Sequence, residues 1–184
     1  MSLVHDTHRR LHEYALLKKL DSQRIQRQPA DYEQSKSIGI LFDATQSQHW
    51  MPIKKYAKTL REKGKKLKIL AYFHDKHKHD EFPFHYFNRS QLDWLLRPVS
   101  SEVGEFIKQP FDVLMTLNQS ASMALEYISA LSRAQLRVGP YTEKTYCYDL
   151  MIETKDQQDL PNFIKEVEFY LNRMNSSTHE NAAI

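Results

Sequence analysis

Apolar and polar positions form two different patterns along the first half of the chain. Apolar side chains recur three or four positions apart over residues 8–27, which predicts a helix, and again over residues 47–63. Between and after these segments, short and nearly continuous apolar runs at 38–43 and 67–73 are typical of buried parallel strands. A strand, a helix and a strand within about 35 residues predict a βαβ unit.

The second half continues the alternation with shorter elements. Strands are predicted at 84–87, 111–117, 136–138 and 146–152, and helices at 90–95, 101–108, 122–134 and 159–173. Alternating strands and helices predict a three-layer, Rossmann-like α/β sandwich with a doubly wound, mostly parallel sheet and an extra N-terminal helix. We expect a basic helix and linker over 1–36, a single α/β domain over 37–174 and a disordered tail over 175–184.

Composition narrows the class of protein. Hydrophobic residues make up 41% of the 184 residues and charged residues 27%, as in soluble folded proteins. The single cysteine, Cys147, excludes a disulfide framework and favours a cytoplasmic location, and its position in the predicted strand at 146–152 predicts a buried structural thiol. No apolar run approaches the ~20 residues of a transmembrane segment, so none is predicted.

Charge is unevenly distributed along the chain. Residues 54–68 hold eight basic side chains and one acidic one, whereas residues 143–184 hold eight acidic and four basic. A basic block on a helix attracts phosphates or another anionic surface, although the same pattern also occurs on an ordinary solvated helix face. We interpret the block as a patch for an anionic partner, with RNA or the ribosome favoured. The patch consists of Lys54, Lys55, Lys58, Arg61, Lys65 and Lys66.

A ligand crevice is predicted where two strands end. In open parallel sheets, ligands bind beyond the carboxyl ends of the strands at the switch in strand order. If the strands ending at Asp43 and Leu117 are neighbours, polar side chains line this crevice, although such residues are also common in turns and caps. None of the four glycines forms a phosphate-binding motif, so no cofactor is predicted. The crevice residues are Asp43, Thr45, Gln46, Asn118, Gln119, Ser120 and Ser122.

Two further clusters lie in residues 74–94. His74, His77 and His79 are weak metal candidates, but their spacing matches no standard zinc signature. We therefore predict no metal site and interpret the histidines as a solvated, pH-responsive loop. An aromatic cluster either stacks on single-stranded nucleic acid or packs against the sheet, and the second is expected. Its members are Phe82, Phe84, Tyr86, Phe87 and Trp94.

Residues 111–141, with the sequence FDVLMTLNQSASMALEYISALSRAQLRVGPY, resemble a segment of bacterial heptosyltransferase-type glycosyltransferases. In that family a strand leads into a helix, a corner of small residues and a short strand. The resemblance implies the N-terminal half of a two-domain enzyme whose second half holds the nucleotide-sugar donor. Asp43 lies near the position of the family's catalytic acid, but the Gly-Asp turn that precedes that acid is missing. The whole chain also resembles a small, uncharacterised bacterial family of the same architecture.

Two functions follow from these observations. The favoured one is a non-catalytic binding protein on a glycosyltransferase-like half-scaffold, whose basic helix contacts RNA or the ribosome. The alternative is a sugar- or nucleotide-binding domain, or a glycosyltransferase-like enzyme completed by a homodimer, with Asp43 as the catalytic residue. Peripheral membrane attachment through residues 8–27 ranks last, because their apolar stripe is weak.

Overall fold

Six strands and five α-helices form the part of the chain that the computed structural model describes, which is residues 2–23, 25–27, 31–118, 121–153 and 159–181. The strands are β1 Ser37–Asp43, β2 Lys66–Phe73, β3 His85–Asn88, β4 Val113–Thr116, β5 Leu136–Pro140 and β6 Leu150–Ile152. The helices are α1 Ser2–Gln23, α2 Trp50–Glu62, α3 Ser101–Lys108, α4 Met123–Leu131 and α5 Leu160–Asn181.

The strands form one parallel sheet in the order β3-β2-β1-β4-β5-β6. This is the strand order of a doubly wound, Rossmann-like fold, and it confirms the predicted fold class. The order reverses between β1 and β4, where Ile40 pairs with Met115. The condition for the predicted crevice is therefore met, because the strand that ends at Asp43 neighbours the strand that precedes Leu117.

Helices cover both faces of the sheet. On one face, α2 and α5 bury Ile53, Leu60, Phe163 and Val167 against the inward side chains of the strands. On the other face, α3 and α4 bury Val103, Phe106, Leu125 and Ile128. Both helix layers exclude water from the sheet. The strands are therefore apolar on both faces and do not alternate apolar with polar residues.

The extra N-terminal helix is part of the packed domain. Leu16 of α1 is buried in a cluster with Tyr127 and Leu131 of α4. The side chain of His12 forms a hydrogen bond of 2.7 Å with the backbone carbonyl of Leu95. The hydroxyl of Tyr146 donates to Glu13 at 2.8 Å. These contacts place α1 across the outer side of α4.

Aromatic side chains replace a helix between β2 and β3. Residues 74–84 contain no helix, and Phe82 and Phe84 pack against Phe42, Trp50 and Phe73. Burial against the sheet is therefore confirmed for four of the five predicted aromatic residues, including Tyr86 and Phe87. The expectation is wrong for Trp94, which is 67% exposed and whose ring meets that of His8 edge-on.

Several element boundaries differ from the prediction. Helix α1 begins at Ser2 and ends at Gln23, four residues before the predicted end at 27. Strand β6 is shorter than predicted because the residues before it form turns, in which the Cys147 N–H donates to the Lys144 carbonyl.

Two other segments also differ. A 3₁₀ turn at Arg89–Gln91, capped by the Asn88 side chain, replaces the predicted helix at 90–95, because Asn88 and Gln91 bond to each other's backbone. Helix α5 continues to Asn181, through most of the tail that was predicted to be disordered, and residues 182–184 lie outside the described residues.

Candidate functional site

A carboxylate and an imidazole meet at the carboxyl edge of the sheet. Asp43 ends β1 and His74 directly follows β2, so parallel pairing brings the two residues side by side. The His74 Nε2 lies 3.0 Å from Asp43 Oδ2. The Thr45 N–H donates to Asp43 Oδ1 at 2.8 Å, and the His74 N–H donates to Thr45 Oγ1 at 3.0 Å. Both oxygens of the Asp43 carboxylate are therefore engaged.

The turn that follows β1 is held by its own side chains. The Ala44 N–H donates to the Tyr72 carbonyl at 2.9 Å, which extends the pairing of β1 and β2 by one bond. The indole N–H of Trp50 donates to the Ala44 carbonyl at 2.7 Å. His49 Nδ1 lies 3.0 Å from the Asp43 carbonyl oxygen. These bonds fix the backbone that presents Asp43 and Thr45.

The pair Asp43–His74 favours the charged form of both groups. Burial would raise the pKa of Asp43, but hydrogen bonds from His74 and Thr45 outweigh burial and hold that pKa below its usual value. The hydrogen bond to Asp43 raises the pKa of His74, against the opposing effects of partial burial and of Arg89. At any given pH, the Asp43 carboxylate therefore increases the fraction of His74 in the imidazolium form.

A cavity of about 320 Å³ adjoins this pair at the start of α4. Ser122 precedes α4 and lines the cavity, and it is only 7% exposed. Its hydroxyl caps no backbone N–H of the helix and has no hydrogen-bond partner among the described residues. A buried hydroxyl without a partner is costly, and in a residue that lines a cavity a rotation of the side chain would bring it to a polar ligand atom there.

The remaining walls of the cavity combine one cation with apolar side chains. Arg89 follows β3, and its exposed guanidinium makes no hydrogen bond or ion pair within the described part of the chain. Leu96 lines the cavity with a φ of 59°, a left-handed conformation that is rare for a bulky residue. The cavity is lined by Tyr72, His74, Arg89, Leu92, Leu96, Ala121, Ser122, Met123 and Ala124.

Asp93 stabilises the strained turn at Leu96. Its carboxylate accepts from the backbone N–H groups of Leu95 and Arg97, both at 2.9 Å, and its backbone carbonyl accepts from Leu96. The Arg97 guanidinium lies 2.7 Å from the same carboxylate. Strained backbone persists only where its surroundings hold it, and such positions are concentrated at ligand sites.

The predicted crevice residues divide into three groups. The structure brings Asp43 and Thr45 to His74 and places Ser122 in the cavity wall. Asn118 is buried just beyond β4, and Gln46 accepts a local hydrogen bond from Gln48 at 2.8 Å. Gln119 and Ser120 lie outside the described residues.

Sequence reasoning missed two residues of this site. His74 was considered as a metal candidate and as part of a solvated loop, and neither His74 nor Arg89 was assigned to the crevice. A usable signal was present, because His74 directly follows β2 and Arg89 directly follows β3. The carboxyl ends of both strands lie at the same edge of the sheet as Asp43. Once β2 and β3 are predicted as parallel neighbours of β1, the residues after them belong to the same crevice.

The three histidines that were considered as metal ligands do not converge. His74 contacts Asp43, whereas His79 stacks on Phe73 with ring centroids 3.6 Å apart and has its Nε2 3.1 Å from Asp75. The backbone N–H of His77 donates to the same carboxylate at 2.8 Å. Among the described residues, no group of three or more metal-ligating side chains is suitably placed for a metal ion.

The basic patch lies mainly on the outer side of α2. Lys65 departs from it, because its ammonium donates to three backbone carbonyls, those of Tyr32, Glu33 and Ser35, at 2.6–3.1 Å. It therefore holds residues 32–35 against the start of β2. A contact with RNA or the ribosome stays a prediction. The patch residues that remain exposed are Lys54, Lys55, Lys58, Arg61 and Lys66.

Cys147 is fully buried, although it lies in the turns before β6 and not in a strand. Burial raises the pKa of its thiol to about 12. A thiol with so high a pKa is almost entirely protonated at neutral pH, so the structural role predicted for Cys147 agrees with its environment.

The fold and the cavity together define a class, an α/β domain with a cleft at the carboxyl edge of a doubly wound sheet. Residues 9–174 match the model of a family described as a family of unknown function (DUF6913), and the chain belongs to that family. None of the curated proteins matches the sequence. Within the described residues, no helix combines the length and the apolar character that crossing a bilayer requires.

Proposed function

We propose that the chain is a ligand-binding domain that holds a phosphate-bearing small molecule at the switch point between β1 and β4. The observation that carries this proposal is the hydroxyl of Ser122, which is buried and has no partner among the described residues, in a residue that lines the cavity at the start of α4. The first N–H groups of a helix lack intrahelical partners and carry partial positive charge. A phosphate oxygen at this position would satisfy both the hydroxyl and the helix terminus.

The charges beside the cavity favour an anion. Arg89 is a permanent cation, and Asp43 favours the protonated, cationic form of His74. Guanidinium groups bind phosphate oxygens through charge-assisted hydrogen bonds. The apolar side chains of Tyr72, Leu92 and Leu96 supply a wall for the non-phosphate part of the ligand. A nucleotide or a sugar phosphate has both of these parts.

Asp43 has a positioning role in this proposal. Its two carboxylate oxygens are engaged by His74 and by the Thr45 N–H, so it orients the imidazole and favours its protonated form. This differs from the direct catalytic role that the glycosyltransferase resemblance implies for Asp43. The proposal concerns binding, and it requires no second domain and no second copy of the chain.

Ligand-induced stabilisation tests the proposal, because a ligand that binds only the folded state raises the melting temperature. We would screen pyrophosphate, ribose 5-phosphate, AMP and UDP against ribose and uridine, and measure affinities by calorimetry. The phosphorylated compounds should stabilise the protein and the unphosphorylated ones should not. Arg89→Ala should weaken binding about tenfold or more, since a hydrogen bond to a charged group contributes about 1.5–3 kcal/mol. Arg133→Ala, which removes an exposed arginine beyond the other end of α4, is the matched control.

Ser122→Ala separates a ligand-binding role from a capping role. A serine that caps a helix contributes about 1 kcal/mol to stability, and its loss would lower the free energy of unfolding. Because the Ser122 hydroxyl makes no cap bond, we expect unchanged stability and weaker binding of the phosphorylated ligand. The proposal is wrong if no phosphorylated compound binds. It is also wrong if Arg89→Ala and Ser122→Ala bind the ligand as strongly as the unmodified protein does.

A further inference from the structure

A groove lies between α2 and α5, on the outer side of the helix layer that covers one face of the sheet. It encloses about 410 Å³, and most of its lining is apolar. Tyr56 and Ile164, both almost completely buried, contribute to the lining. Met51 of α2 also lines the groove, and 69% of its surface is exposed. An exposed methionine beside an apolar groove is characteristic of surfaces that bind other proteins.

The walls of the groove are two helix stripes of similar length. On α2 the lining side chains run from Met51 to Thr59, and on α5 they run from Pro161 to Glu168. Eight or nine helical residues span about 12 Å, which corresponds to two turns of a bound helix. The groove therefore has the dimensions for apolar side chains from successive turns of a helical segment.

Positive charge borders the groove. Lys55 of α2 and Lys165 of α5 line it, and neither makes an ion pair within the described residues. Lys54, Lys58 and Arg61 are exposed on the same helix as Lys55. The acidic groups nearby are already engaged, since Glu168 pairs with Lys63 at 3.4 Å and Glu62 with Lys58 at 3.8 Å.

We propose that this groove binds an acidic amphipathic helix of a protein partner. Its apolar side chains would enter the groove over Tyr56 and Ile164, and its carboxylates would face the lysines at the border. Charge complementarity selects an acidic segment, and the apolar lining distinguishes a protein from a nucleic acid. The cations would also attract the phosphates of RNA, but the exposed Met51 beside an apolar groove favours the apolar side chains of a protein helix.

This inference is independent of the proposed ligand site. The groove is formed by the outer sides of α2 and α5, whereas the cavity beside Ser122 is at the carboxyl edge near α4. It also gives the basic block a function that the ligand site does not require. The two proposals can therefore fail separately.

Fluorescence anisotropy with labelled peptides tests the inference. The probes are helices of about 18 residues, five turns, with apolar residues at helical spacing and glutamate elsewhere. Their apolar positions carry Leu, Ile, Met or Phe, and each peptide has a scrambled counterpart of the same composition. A labelled single-stranded oligouridine is the nucleic-acid probe. We expect one or more acidic helices to bind at least about tenfold more tightly than their scrambled counterparts.

Exposed positions supply variants that leave the core intact. Met51→Glu tests the apolar contribution and Lys55→Glu tests the charge, and each should weaken peptide binding about tenfold or more. Val99→Glu and Lys108→Glu are the matched controls, because they change an exposed apolar residue and an exposed lysine away from the groove. The controls should bind like the unmodified protein, and circular dichroism should show that all four variants are folded.

Three results overturn the inference. The first is that none of the acidic helices binds more tightly than its scrambled counterpart. The second is that Met51→Glu leaves binding unchanged, which would show that the apolar groove is not used. The third is that oligouridine binds more tightly than the peptides and loses its affinity in Lys55→Glu alone, which would identify a nucleic-acid surface.

Discussion

The helices α2 and α4 cover opposite faces of the same sheet, yet their outer sides differ. Every side chain of α4 from Ala124 to Leu131 is buried, because α1 lies across that helix. Helix α2 buries four side chains and exposes a row of basic residues on its other side. The comparison shows that α1 completes the core beside α4, whereas within the described residues no element covers α2.

The basic helices α1 and α2 therefore have different roles. Although α1 contains several basic residues, its inward side chains Leu16 and His12 belong to the core beside α4. The lysines of α2 contribute little to the fold, and a surface that the fold does not need is available for a partner. The same type of substitution should therefore lower the free energy of unfolding strongly beside α4 and only slightly on α2.

The largest difference is expected between two ion pairs. Lys144 lies 2.6 Å from Glu126 of α4, whose side chain is 6% exposed, whereas Lys58 and Glu62 of α2 form an exposed pair at 3.8 Å. Lys144→Ala leaves a buried carboxylate without its partner, so we expect a loss of about 3 kcal/mol in the free energy of unfolding. Lys58→Ala should cost about 0.5 kcal/mol or less. Urea unfolding measures both, and equal losses would contradict the comparison.

The contact between α1 and α4 is tested by adjacent leucines. Leu16 is 2% exposed and Leu17 is 44% exposed, so the two substitutions differ in burial and not in chemistry. Leu16→Ala should lower the free energy of unfolding by about 2–4 kcal/mol, as large-to-small changes in cores do. Leu17→Ala should cost about 0.5 kcal/mol. If both variants unfold at the same urea concentration, α1 does not contribute to the core in the way described.

The smallest expected effect is the opposite pH dependence of the contributions that His12 and His74 make to stability. Burial lowers the pKa of His12 below 6.5, although its hydrogen bond with Leu95 opposes the change, while Asp43 raises the pKa of His74 above 6.5. The contribution of His12 to stability is therefore lost as the pH falls below about 6.5, where the unfolded chain takes up a proton. The contribution of His74 is complete below that pH and is lost as the pH rises through its raised pKa.

Proton NMR titration of the histidine rings measures both values. Asp43→Asn removes the charge that favours the imidazolium and should return the pKa of His74 towards 6.5, without moving that of His12. His12 is surrounded by Lys144, Glu126 and Asp93 as well as by the Leu95 carbonyl, and none of these groups is changed in the variant. A pKa above 6.5 for His12 in the folded protein would contradict its burial against α4.

The sequence predicted the layers better than it predicted what covers them. The helix α2 was predicted from apolar residues three or four positions apart, and the strands β1 and β2 from short, nearly continuous apolar runs. The helix at 122–134 was predicted without the element that covers its outer side, which is α1. The apolar residues on all sides of MALEYISAL were a signal that a second layer exists, since a helix that is apolar all round must be buried all round.

The candidate site was predicted in part, for a geometric reason. Asp43 and Ser122 could be placed because each belongs to one of the two strand–helix turns at the switch in strand order. The pairing of Asp43 with His74, and the approach of Arg89, depend on which residues follow β2 and β3 and on a loop without a helix. Neither the packing of aromatic residues in residues 74–84 nor the strained turn at Leu96 has a period that a sequence shows.

The single cysteine is a natural reporter of motion in the region that α1 covers. Cys147 is inaccessible in the folded state, and its carbonyl accepts a hydrogen bond of 2.9 Å from the Ser129 hydroxyl of α4. A thiol reagent can reach it only when the segment before β6 separates from α4. The rate of labelling therefore measures the free energy of this local opening on the unmodified protein, with no introduced dye and no change of sequence.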